Sequence, residues 1–161
     1  MEFISYKEHI SVKGKLIYSM LDYSFDFFAE DDRLAQGGTT LSIGTLQIEV
    51  DIEDQFLLFP WGVHPHTAWV KGTLPKTKAQ RGGIKVVFDV SAQPGIAIKI
   101  GPQNTWKTIF DENTGWVCVH SDSNFSQHQN IEFAQSSIIG LHNNRIATLW
   151  LKPSNHASIN L

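Results

Sequence analysis

A single cysteine, Cys118, stands among 161 residues, so no disulfide can close within the chain and no multi-cysteine zinc or iron–sulfur site can form. Nor does any stretch reach the ~18 consecutive apolar residues that a membrane-spanning helix needs, so no membrane is expected as a partner. The first residues, from Met1 to His9, lack the basic start and continuous apolar run of a secretory signal. A lone thiol without an export signal gives the expectation of a reducing, cytoplasmic setting. Cationic excess is missing too: 13 Lys and Arg against 16 Asp and Glu leave a formal charge of −3, which argues against nucleic acid as a partner. No Gly-x-Ser-x-Gly elbow, phosphate loop or Gly-x-Gly-x-x-Gly occurs. That removes serine hydrolases of the elbow type, P-loop NTPases and Rossmann enzymes, and no cofactor is expected.

Charge is sparse at 18%, below the ~25% usual in soluble domains, whereas 42% of residues are apolar, with ten Phe, five Trp and three Tyr among them. Such a chain has the means to form a core. At this length a domain buries roughly 68–70% of the surface its unfolded form exposes. The reading is a single β-domain over residues 1–161, with 153–161 as a polar C-terminal tail.

Period two dominates the pattern. Leu21, Tyr23, Phe25 and Phe27 alternate with Asp22, Ser24 and Asp26, as on a strand with one wet face. Leu46, Ile48, Val50 and Ile52 alternate with Gln47, Glu49, Asp51 and Glu53 in the same way. Leu41 and Ile43 continue that alternation upstream until Gly44-Thr45 shifts its phase by one, which a β-bulge would explain. Further strands are predicted over 69–74, 84–90, 96–100, 105–110, 116–120, 131–134, 137–141 and 146–152. The turns between them have hairpin chemistry: Gln93-Pro94-Gly95 suits a type II turn, Asp111 to Gly115 a loop with Gly, and Asn143-Asn144 left-handed geometry. Helical periodicity is confined to one suggested turn within 3–10. About ten short strands at this spacing predict an all-β fold, a single antiparallel sandwich or flattened barrel with little helix.

His64-Pro65-His66 is the most pointed local feature. Residues two apart on a strand face the same way, so two imidazoles could ligate one metal, with His120, His128 or His142 as a third ligand. The three residues resemble the metal-binding His-x-His of cupin barrels. Residues 67–71, however, hold no glutamate where cupins place one, so the chain is not assigned to that family. Among the tryptophans, Trp69 and Trp116 have apolar neighbours and suit the core. Trp61, beside Pro60 and Gly62, and Trp106, after Gln103-Asn104, suit ligand stacking.

Other groups read as structural. Glu49, Asp51 and Glu53 share a strand face that is more simply wet than catalytic. Asp122-Ser123-Asn124 with Asp111-Glu112 lacks EF-hand spacing. Cys118 shares a face with His120 but has no cationic cluster to activate it. Charge is also segregated: residues 22–54 hold nine acids and only Arg33 as a cation, while 71–85 hold five cations and no acid.

The function these features predict is a small binding or interaction module. Its partner would be a protein, such as a toxin to be neutralised, or a small ligand in an aromatic-lined concavity contacted by Trp61, His64, His66 and Trp106. The alternative is a metal-dependent enzyme with His64 and His66 as ligands.

Overall fold

Apolar residues at every second position can be buried only if two sheets turn their apolar faces to one another, and that is the arrangement seen in the computed structural model, which describes residues 1–35, 38–89, 91–101 and 105–161. Half of the chain is strand. In chain order the described strands are β1 (Glu2–Tyr6), β2 (Gly14–Ser19), β3 (Ser24–Ala29), β4 (Thr39–Ile43), β5 (Leu46–Val50), β6 (Leu57–Val63), β7 (Val70–Lys71) and β8 (Gln80–Arg81). They continue with β9 (Gly83–Val87), β10 (Ala97–Lys99), β11 (Lys107–Asp111), β12 (Trp116–His120), β13 (Gln129–Ala134), β14 (Ser137–His142) and β15 (Arg145–Leu151). One sheet runs β10-β4-β5-β6-β3-β2, the other β7-β11-β12-β15-β14-β13-β8, and β1 pairs with β9. Most neighbours are antiparallel; the short β10, β7 and β8 join their sheets in parallel. The sheets pack as an all-β sandwich and do not close into a barrel.

The core lies between the two sheets. Leu41, Ile43, Leu46, Ile48 and Val50 from one layer share a cluster with Phe110, Val117, Val119, Leu149 and Leu151 from the other. Each such side chain contributes roughly 1.5–3 kcal/mol on burial. A second cluster, Leu74, Cys118, Ile138 and Trp150, lies on the outer face of the seven-stranded sheet under the segment between β7 and β8. Burial on both faces explains why β12 and β15 read as nearly unbroken apolar runs instead of alternating.

Several expectations are corrected here. Gly44-Thr45 is a two-residue hairpin turn, with Ile43 paired to Leu46 and Gly44 at φ +60°, and not a bulge. The turn keeps Ile43 and Leu46 on one face, which is the source of the phase slip. Leu21 and Tyr23 belong to the turn between β2 and β3: Tyr23 has φ +55° and Leu21 is 87% exposed, so only Phe25 and Phe27 of that alternation point inward. In place of the helical turn suggested within 3–10, residues up to Tyr6 belong to β1, held by backbone pairing from Glu2↔Val87 to Tyr6↔Gly83, and a turn closed by the His9 N–H on the Tyr6 carbonyl follows. Asp51 and Glu53 lie past the end of β5, where Asp51 Oδ1 accepts the Glu53 N–H, so no three-carboxylate strand face exists. The strand predicted over 69–74 shrinks to Val70–Lys71, and that over 84–90 runs Gly83–Val87, its last predicted residue, Val90, lying outside the described residues.

The turns follow their sequence chemistry more closely. Gly95 has φ +76° and the Ile96 N–H donates to the Gln93 carbonyl, and both Asn143 and Asn144 are left-handed. Residues 153–161 dock on the sandwich. Asn155 brackets Tyr18, its Oδ1 accepting from the Tyr18 N–H at 3.0 Å and its Nδ2 donating to the Tyr18 carbonyl at 2.8 Å. The Ser154 N–H donates to the Leu16 carbonyl, so the tail covers the free edge of β2. Among the described residues no helix is long and apolar enough to cross a membrane.

Candidate functional site

Where β6 ends, Pro65 interrupts the ladder and the chain crosses from one sheet toward the other. Tyr18 fixes this crossing. Its hydroxyl donates to the His64 carbonyl at 2.8 Å and accepts the His66 N–H at 3.0 Å, and burial pushes its pKa up to about 12. His64 is thereby held at the wall of a cleft of about 970 Å³ lined by both sheets. The β4–β5 turn contributes Gly44 and Thr45, β10 contributes Lys99, and β11 contributes Lys107, Thr108 and Ile109. Trp106 and His120 line it as well.

The His64 ring has both nitrogens engaged by hydroxyls: Nδ1 lies 3.0 Å from Thr45 Oγ1 and Nε2 2.8 Å from Thr108 Oγ1. Burial lowers its pKa from 6.5 to about 4, so it is neutral near pH 7. His120, at the same cleft, is also shifted down, by burial and then by Lys107. His66 is not among the lining residues. Its ring packs against Tyr23 and Trp69, with Nδ1 3.4 Å from the Tyr18 hydroxyl. Pro65 and the 3-10 turn His66–Ala68 rotate the two imidazoles into different surroundings, and among the described residues neither joins a set of three metal-ligating groups.

The two candidate tryptophans also separate. Trp106 lines the cleft and donates from Nε1 to the Ile100 carbonyl at 3.3 Å; Gln103-Asn104, which precede it, lie outside the described residues. Trp61 is on the outer face of β6, donating from Nε1 to Glu49 Oε2 at 3.2 Å. Burial shifts the Glu49 carboxyl upward, and the Trp61 indole N–H bonded to it offsets part of that shift. Trp69 is core, as its sequence neighbours suggest.

The remaining histidines gather elsewhere. Asp122, on the loop after β12, faces His128 and His142, with Oδ2 3.5 Å from His128 Nε2 and 3.3 Å from His142 Nδ1. The Asn124 N–H on its other oxygen, followed by the two imidazoles, holds the Asp122 carboxyl below the usual carboxylate range. Asp122 and His142 line a second cleft of about 920 Å³, which shares Lys99, Ile100, Gly101 and Trp106 with the first.

Asp111 is buried and occupied structurally, accepting from the Leu74 N–H on Oδ2 and the Asn113 N–H on Oδ1. Cys118 is buried in the outer cluster, and burial pushes its thiol up, which leaves it unreactive. Sequence reasoning missed Thr45 and Thr108 as partners of His64, and Lys99 and Lys107 as neighbours of Trp106. Contacts between distant strands bring Thr45 and Thr108 to His64 and Lys99 to the cleft, whereas Lys107 simply follows Trp106 in the chain. No known protein family matches this chain, and a search of curated proteins gives no match either.

Proposed function

We propose that this domain binds a small anionic ligand with an apolar body in the cleft between its sheets. The observation that carries the reading is the cleft's composition. Lys99, Lys107 and two histidines line it together with Trp106 and apolar side chains, and among the described residues no carboxylate does. None of the ion pairs among the described residues engages Lys99 or Lys107, so their charge is available to a ligand. A concave, mostly apolar site with a few convergent polar groups is the usual form of a small-molecule pocket. Burial keeps His64 neutral and the Thr45 and Thr108 hydroxyls orient its ring, so it forms part of the wall and leaves the positive charge to the lysines. The protein-partner reading loses its main support, because the acids at 49–53 are not one exposed strand face.

The probe for this reading is 8-anilinonaphthalene-1-sulfonate, compared with the uncharged N-phenyl-1-naphthylamine of the same aromatic body. Fluorescence titration of the folded protein should show saturable binding that favours the sulfonate. Affinity for the sulfonate should fall in Lys99→Glu and Lys107→Glu and with added salt. Equal affinity for both probes, or indifference to the lysine changes, would refute the anionic assignment.

A further inference from the structure

We propose that Asp122 Oδ2, His128 Nε2 and His142 Nδ1 form a site for one divalent transition-metal ion, Zn²⁺ in the simplest case, with an open coordination position toward the second cleft. This does not depend on the anion-binding reading of the first cleft.

The distances carry the inference. The three ligand atoms lie within 4.8 Å of one another, and the two edges from the carboxylate are 3.5 and 3.3 Å. Zinc–nitrogen and zinc–oxygen bonds of ~2.0–2.2 Å at tetrahedral angles place neighbouring ligand atoms about 3.4 Å apart. A direct imidazolium–carboxylate hydrogen bond is shorter, about 2.7–2.9 Å. The gap therefore fits an ion better than a proton shared directly between the groups.

The surroundings orient each ligand. Asp122 Oδ1 accepts the Asn124 N–H at 2.9 Å, which leaves Oδ2 for the imidazoles. The His128 side chain is 1% exposed and meets Phe125 at a near-perpendicular angle. Among the described residues its buried Nδ1 has no hydrogen-bond partner, and neither has the buried Oδ1 of Asn130 on β13. Both residues crowd Gly140, where an added Cβ would lie 2.9 Å from Asn130 Oδ1 and 3.2 Å from His128 Cβ. A ligating histidine ordinarily donates its second ring N–H to an acceptor, and Asn130 Oδ1, beside the same glycine and itself unbonded, is a candidate for that role, although no hydrogen bond joins it to His128 here.

Donor type sets the ion class. Two imidazoles and one carboxylate suit zinc or iron(II), whereas calcium and magnesium prefer all-oxygen sets. His128 closes the buried side, while Asp122 and His142 face the cleft, so a fourth ligand can enter from there. Three protein ligands and one open position are the pattern of reactive zinc centres, not of structural ones. Lys99 and Arg145 line the same cleft and favour an anionic group at that position.

Calorimetric titration of the metal-stripped full chain with Zn²⁺, paralleled by visible absorption on adding Co²⁺, tests the site. The expected result is one ion per chain and cobalt bands of a four- or five-coordinate site. Asp122→Asn and His142→Ala should each weaken binding on the order of 100-fold or more, beyond the loss that supporting-group changes alone produce. His64→Gln and His66→Gln should leave it unchanged. Asp122 is half-exposed, so Asp122→Asn remains informative if the other variant loses its fold by circular dichroism. Binding of less than one equivalent, binding that survives Asp122→Asn, or binding lost in His64→Gln would overturn the proposal.

Discussion

Acidification should destabilise this protein through His64, and the size of the effect can be worked out from its surroundings. The imidazole is half-buried between Thr45 and Thr108 at the cleft wall, and burial lowers its pKa from 6.5 to about 4. The folded state thus excludes a proton that the unfolded chain accepts. Stability from this group is fully present above about pH 6.5 and is lost as the pH falls toward about 4. At ~1.36 kcal/mol per pH unit the full loss is roughly 3 kcal/mol, of which about 2 kcal/mol is gone by pH 5. The assay is urea unfolding from pH 7 to pH 4.5 on the natural chain and on His64→Gln, whose amide can still donate to one threonine and accept from the other. Other titrating groups act on both chains, so the difference between them isolates position 64. That difference should move by about 2 kcal/mol against the natural chain between pH 7 and pH 5. Parallel pH profiles, or a difference of opposite sign, would show that His64 is solvated and titrates normally.

Four further outcomes follow from packing and backbone geometry. Phe25→Ala should cost about 3–5 kcal/mol in urea unfolding, because Phe25 is fully buried against Tyr18 and Trp69. Phe28→Ala, at a 61% exposed position, should cost about 0.5 kcal/mol or less. Asn143→Val should cost about 1–2 kcal/mol and Asn143→Gly almost nothing in thermal unfolding, since φ at 143 is +51°. Native Cys118 should resist Ellman's reagent and react at once in denaturing urea; rapid reaction without denaturant would contradict its burial.

The strand alternation was legible wherever one face is core and the other wet, as in β5, and the paired asparagines announced their own turn. β2 escaped because Ile17 sits half-exposed between buried Leu16 and Tyr18, which masks the period, while Leu21 and Tyr23 imitate a strand in a turn. Site residues were harder to read for a different reason. His64 is joined to Thr108 across 44 positions and Asp122 to His142 across 20, and no local spacing encodes those meetings. The proximity of His64 and His66 in sequence suggested a pair that Pro65 and the following 3-10 turn pull apart.

Ligand occupancy of the cleft between the sheets is best measured through its tryptophan. In a ¹H–¹⁵N correlation spectrum each indole gives its own N–H signal, and Trp106 donates to the Ile100 carbonyl at the cleft wall while Trp61 is tied to Glu49 on the outer face. Titration with 8-anilinonaphthalene-1-sulfonate should shift the Trp106 indole signal and the Thr108 amide signal together and leave the Trp61 indole in place. A shift confined to Trp61, or binding without any change at Trp106, would contradict the account.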